Sequence, residues 1–149
     1  MNWEDVVPKN ELNYIMGNPP FVGARMMSAA QKNELLKIFD GLKNAGNLDY
    51  VSCWYKKATD MMHHSKIRTA LVSTNSITQG EQVAILWKPL FEQGVHIDFA
   101  YKTFRWDSEA DIKAHVHCVI IGFSTMVNNR DKFIIESNIV SKAANINGY

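Results

Sequence analysis

The sequence predicts an α/β fold built on a mixed sheet, and three observations carry that prediction. Short apolar runs alternate with longer stretches of helical periodicity. Glycine, proline and asparagine punctuate them at Pro8, at Gly17 with Pro19-Pro20, at Gly41 with Asn44 to Asn47, and at Gly94. The run Ala70-Leu71-Val72 is continuously apolar, as strands inside parallel sheets are. The resulting order is strand, helix, helix, strand, helix, strand, strand.

The first strand is expected over Asn13 to Gly17, between Pro8 and Pro19-Pro20. Ser28 caps a helix that runs to about Asp40, with Leu35, Leu36 and Phe39 on its inner face, and Gly41 stops it. The longest helix follows, with Asn47 as N-cap and Asp49 in the first turn, where a carboxylate suits the dipole. Its apolar stripe is Leu48, Val51, Trp54, Tyr55, Ala58, Met61 and Met62, and it ends at His63-His64-Ser65. Arg68 to Thr74 reads as a buried strand and Gln82 to Gln93 as a third helix, bent or started late by Pro89 and closed by Gly94. Val95 to Thr103 is a strand, Arg105 to Lys113 a polar loop, and Ala114 to Phe123 a further strand. Beyond it, Lys132 to Ile135 is expected as a strand and Ser137 to Ala144 as a short helix. There are no internal repeats and no low-complexity tracts.

A chain of 149 residues can bury one core, and 46% hydrophobic with 21% charged residues is ordinary globular composition. No apolar stretch is long enough to span a membrane, and no signal peptide opens the sequence. Cys53 and Cys118 lie outside any metal-type spacing, so reduced thiols in a cytoplasmic protein are the default reading. The formal net charge of +1 neither supports nor excludes nucleic acid.

Chemistry concentrates at Asn18-Pro19-Pro20-Phe21, in the turn leaving the first strand. Ligands bind outside the carboxyl ends of strands in α/β sheets. Proline fixes φ and lacks an N–H, so two in a row hold the turn rigid. The Asn18 amide oxygen and the Pro19 carbonyl become a pre-aimed pair of acceptors with an aromatic ring beside them. Such a pair suits a planar molecule bearing an amino group.

Asn-Pro-Pro-Phe after a strand resembles the catalytic motif of amino methyltransferases, which methylate exocyclic or side-chain amide nitrogens with S-adenosylmethionine. Four further segments are similar to the adenine-N6 DNA methyltransferases of large restriction–modification proteins: Gly46 to Val51, Leu71 to Gly80, Phe104-Arg105-Trp106, and His115 to Phe123. The similarity spans about residues 3 to 124. It implies a partial Rossmann-like class I methyltransferase fold, with flanking helices and a last strand inserted antiparallel between its two predecessors. Residues 1–124 are then the catalytic half of the domain, and 125–149 a linker or the start of a following region.

The resemblance also implies site roles. Asn18, Pro19, Pro20 and Phe21 are the catalytic motif. Phe21 stacks on a flipped adenine, and Phe104 supplies the second face, with Trp106 as its rival. S-adenosylmethionine would be lined by Gly17 and Pro20 and by Leu48, Asp49 or Tyr50. Its principal glycine-rich loop has no counterpart here, because no strand–glycine-loop–helix unit precedes Gly17. The expected partners are double-stranded DNA, the missing N-terminal half and target-recognition region of a parent protein, and a second copy paired through the exposed edge of the first strand. Protein-glutamine and RNA methyltransferases share the motif and stand as the alternative, beside a non-catalytic scaffold.

Other residues have plainer readings. His115 and His117 share a strand face, but two ligands close no metal site. Ser73-Thr74-Asn75-Ser76 lacks the pattern of a nucleophile elbow and is read as a turn supporting the active-site floor. Lys56, Lys57, Lys66, Arg68, Lys102 and Arg105 could touch phosphates, but each alone reads first as a solvated side chain.

Overall fold

A computed structural model describes residues 2–106, 116–126 and 130–149. Six strands form one sheet in the order β1-β2-β4-β3-β5-β6: β1 Tyr14–Gly17, β2 Arg68–Thr74, β3 His96–Trp106, β4 Val116–Ser124, β5 Lys132–Glu136 and β6 Ile139–Ala143. The helices are α1 Ala29–Ile38, α2 Ser52–Met62 and α3 Gly80–Glu92. β1 is parallel to β2, and β4 is antiparallel to both β2 and β3, so the last strand of the expected set does lie between its two predecessors. No described helix is long and apolar enough to cross a membrane.

Local chemistry explains most boundaries. Ser28 caps α1 through a complete capping box with Gln31, and Gly41 takes φ +75° just beyond the helix. Leu35 and Phe39 are buried, but Leu36 is 45% exposed and does not belong to the inner face. α3 runs through Pro89 and is the longest helix, with 13 residues against 11 in α2. Gly94, at φ +86°, ends it. The ladder reaches one residue before β1, where the Arg68 amide donates to the Asn13 carbonyl.

Three further expectations are corrected. Asn47 does not cap α2: it closes a 3-10 turn over Ala45–Asn47, Leu48 is extended, and α2 begins at Ser52 with Val51 as an N-cap that makes no side-chain bond. β2 is not buried on both faces. Thr69, Leu71 and Ser73 are buried while Ala70 and Val72 are half-buried, so the two faces are unequally covered. Ser137 to Ala144 is no helix. Ser137 and Asn138 take φ +46° and +68°, a two-residue turn whose twist joins β5 to β6 as a hairpin. Residues 130–149 thus extend the sheet through β5, which runs parallel to β3.

The core lies where α2 and α3 meet the packed face. Tyr55 stacks on Phe123 at 5.2 Å, and Trp87 meets both rings edge-on. Each polar tip is satisfied: Tyr55 shares a 2.7 Å hydrogen bond with Ser73, and Trp87 Nε1 donates to the Ile77 carbonyl. Burial pushes the Tyr55 phenol pKa up, the Ser73 hydrogen bond opposing it. This cluster fixes α2 and α3 on the sheet whose carboxyl edge bears the motif.

Candidate active site

β1 and β2 are parallel, β2 runs three residues past the pair Gly17–Leu71, and Asn18 follows Gly17 directly out of the sheet. Pro19 is buried and holds the turn, while Asn18 and Pro20 are exposed and Phe21 is half-buried. Among the described residues, no donor reaches the Pro19 carbonyl and the Asn18 amide makes no hydrogen bond. The motif contains no ionisable side chain, so its chemistry is that of fixed dipoles. Asn18, Pro19 and Pro20 border a depression of about 590 Å³ beside the open edge of β1, together with Gly17, Ile15 and Trp54. Phe21 does not line it.

Backbone and carboxylate bonds hold the segment after the motif. Tyr50 N donates to the Val22 carbonyl at 2.9 Å, and Ala24 N donates to Asp49 Oδ1 at 2.8 Å. The second carboxylate oxygen of Asp49 accepts from Ser76 Oγ at 2.5 Å, and Asp49 N donates to Gln82 Oε1 at 3.1 Å. Ser76 and Thr74 are 2.8 Å apart through their hydroxyls. The turn after β2 therefore supports the motif loop through Asp49.

Leu48, Asp49 and Tyr50, the residues expected near the cofactor, have their side chains engaged within the protein. Leu48 is fully buried, Asp49 is nine-tenths buried with both oxygens engaged, and the Tyr50 hydroxyl donates to Glu34. That bond, then burial, raises the Tyr50 pKa to about 12. Cys53 lies beside them, its thiol raised to about 12 by burial and then by the Glu34 charge. Gly17 and Pro20, the other two residues expected near the cofactor, are exposed and border the depression.

Phe104 lies on the same carboxyl edge. It pairs with Cys118, which pairs with Thr74 at the end of β2, three residues beyond the row of Gly17, Leu71, Ile121 and Ala100. A register shift between Tyr101 and Phe104 re-aims the strand there. The Phe104 ring is half-buried and edge-on to Tyr101 at 5.4 Å. The Trp106 backbone pairs with Val116, while its side chain, His115 and most of the predicted polar loop lie outside the described residues. Of the candidate phosphate contacts, Lys56 is paired with Asp60, Lys102 with Glu136 at 2.9 Å, and Lys57 lies 5.8 Å from the Trp3 ring centre. The sequence reading placed Ser76 in a supporting turn but missed its bond to Asp49, and it missed Gln82 altogether. Their partner is 27 and 33 residues away, and no local pattern marks such a pair.

With this geometry in view, comparison with known proteins is decisive. Residues 1–136 match the model of the MmeI DNA-methyltransferase domain. The chain belongs to that family. It is 38% identical over 151 aligned positions to DNA methyltransferase A of Bacillus subtilis (strain 168), covering all of this chain and 17% of that protein. The structure of the Type IIL restriction–modification enzyme MmeI in complex with DNA matches all of this chain and 21% of its own, at 46% identity and TM-score 0.94. A nuclease-deletion mutant of the Type ISP restriction–modification enzyme LlaGI shares the fold at 16% identity and TM-score 0.53, over 90% of this chain and 15% of its own. This MmeI-type methyltransferase domain chain thus spans about a fifth of the relatives it matches.

Proposed function

We propose that this chain is the catalytic half of a site-specific DNA methyltransferase, part of a larger cytoplasmic restriction–modification protein, that methylates the exocyclic N6 of a flipped adenine. The observation that carries the reading is the exposed Asn18 amide beside an unbonded Pro19 carbonyl in a proline-locked turn. Membership of the MmeI methyltransferase family supports it.

The adenine amino nitrogen is a poor nucleophile because its lone pair is delocalised into the ring. Asn18 Oδ1 and the Pro19 oxygen accept its two hydrogens and draw the nitrogen toward tetrahedral geometry, which returns the lone pair to it. S-adenosylmethionine, when bound, supplies an electrophilic methyl group on a sulfonium. The methylated nitrogen is acidic and loses a proton afterwards, so no strong base is needed first. One pre-aimed polar group of this kind is typically worth roughly 2–4 kcal/mol of barrier. The base reaches the site by leaving the duplex. Phe21 holds one of its faces and Phe104 or Trp106 the other, at roughly 1–3 kcal/mol per stacked ring.

Gly17 and Pro20 give the cofactor one wall only, so the isolated chain is inactive and binds it poorly. The full-length protein, incubated with isotope-labelled S-adenosylmethionine and DNA, should yield N6-methyldeoxyadenosine on nucleoside analysis. Label found instead in protein glutamine or in RNA overturns this reading.

A further inference from the structure

We infer that Asp49 is a positioning residue that sets the distance between the motif loop and the sheet edge facing it. The inference rests on the proposed function for its catalytic consequence, and on geometry alone for its structural one. Asp49 lies in the short extended stretch before α2, between two parts of the site that are remote in sequence. One oxygen takes the Ala24 amide, in the loop that begins at Phe21. The other takes the Ser76 hydroxyl proton. A serine hydroxyl has one proton, so the 2.8 Å contact between Ser76 and Thr74 is a donation from Thr74. Thr74 is the last residue of β2, in the row shared with Cys118 and Phe104. A continuous polar chain thus runs from the Phe21 loop to the Phe104 row, and Asp49 is its only carboxylate.

The orientation of that carboxylate is over-determined. Its own amide is held by Gln82 Oε1, and the neighbouring Tyr50 amide holds the Val22 carbonyl. Hydrogen bonds to an ionised acceptor are short and strong, which suits a spacer rather than a ligand contact. A misplacement of about 1 Å remote from the reacting atoms can cost on the order of 10²-fold in rate. Loss of the clamp acts through Phe21 and the Asn18 turn, which it does not touch.

The test uses the full-length protein carrying Asp49→Ala, Asp49→Asn or Ser76→Ala. Two readouts are taken: amide hydrogen exchange over residues 22–26, and single-turnover methylation with cofactor affinity measured separately. Asp49→Ala is expected to speed exchange in that segment and to slow methylation on the order of 10²-fold, with cofactor affinity changed less than about threefold. Asp49→Asn keeps an acceptor for Ala24 and should recover most of both; Ser76→Ala should fall between. Unchanged exchange in Asp49→Ala overturns the inference, as does a large loss of cofactor affinity with the saturated rate intact. If Asp49→Ala does not fold, Ser76→Ala decides: no change in either readout overturns the clamp. If exchange responds but the wild type methylates no DNA, the clamp stands and the functional reading fails.

Discussion

The Phe99 ring occupies the space that a side chain on Gly122 would need. The two residues are cross-strand partners, and a Cβ on Gly122 would lie 2.0 Å from the nearest ring carbon. The glycine is therefore set by the ring opposite it, and its backbone conformation plays no part. Gly122→Ala should destabilise the chain by about 1–3 kcal/mol through overpacking. Urea unfolding checks this, and adding Phe99→Ala should return part of the loss. Additive effects in the double variant would show that the two do not compete for space.

The two thiols are protected by burial in the same fold. Cys53 and Cys118 are at most 2% exposed, and burial raises both thiol pKa values. Alkylation at pH 8 should therefore be slow in the folded protein and rapid in denaturant. Rapid labelling of either native thiol would contradict the packing.

Alkaline stability follows with a definite sign. A folded-state pKa above the ordinary value means the folded chain holds its proton more tightly. The contributions of Cys53 and Tyr50 are complete below their ordinary values of 9.0 and 10.0 and are lost as pH rises through about 12. Stability should fall across that interval, and less steeply in Tyr50→Phe, which has no proton to lose. Thermal unfolding from pH 8 to 11.5 measures it; a flat profile is the contrary result.

β1 pairs only with β2 among the described strands, and Tyr14 and Met16 on it are 63% and 78% exposed. Such an edge presents unpaired backbone groups, a template for pairing with another chain. The isolated chain is expected to associate, and Met16→Lys to shift it toward monomer. Light scattering that finds a monomer at high concentration argues against this.

Much of the site's framework was legible because it is local. The capping box at Ser28, the stop at Gly41 and the proline-locked turn after β1 are each written within a few residues. The position of β4 between β2 and β3 came from family resemblance, since periodicity does not encode pairing order. What failed depended on distant partners. Asn47 and Asp49 look like a helix start, yet the pull of Ala24, Ser76 and Gln82 on Asp49 delays α2 to Ser52. Ser137-Asn138 lacks the glycine that marks tight hairpins, so the turn was hidden, although Ile139 and Val140 are strand formers.

The most direct test is Asn18→Ala in the full-length protein, with methyl transfer and DNA affinity measured on the same preparation. Turnover should fall on the order of 10²–10³-fold, while the dissociation constant for DNA holding the target adenine stays within about threefold. Turnover equal to wild type would remove the Asn18 amide from the reaction and contradict the account at its centre.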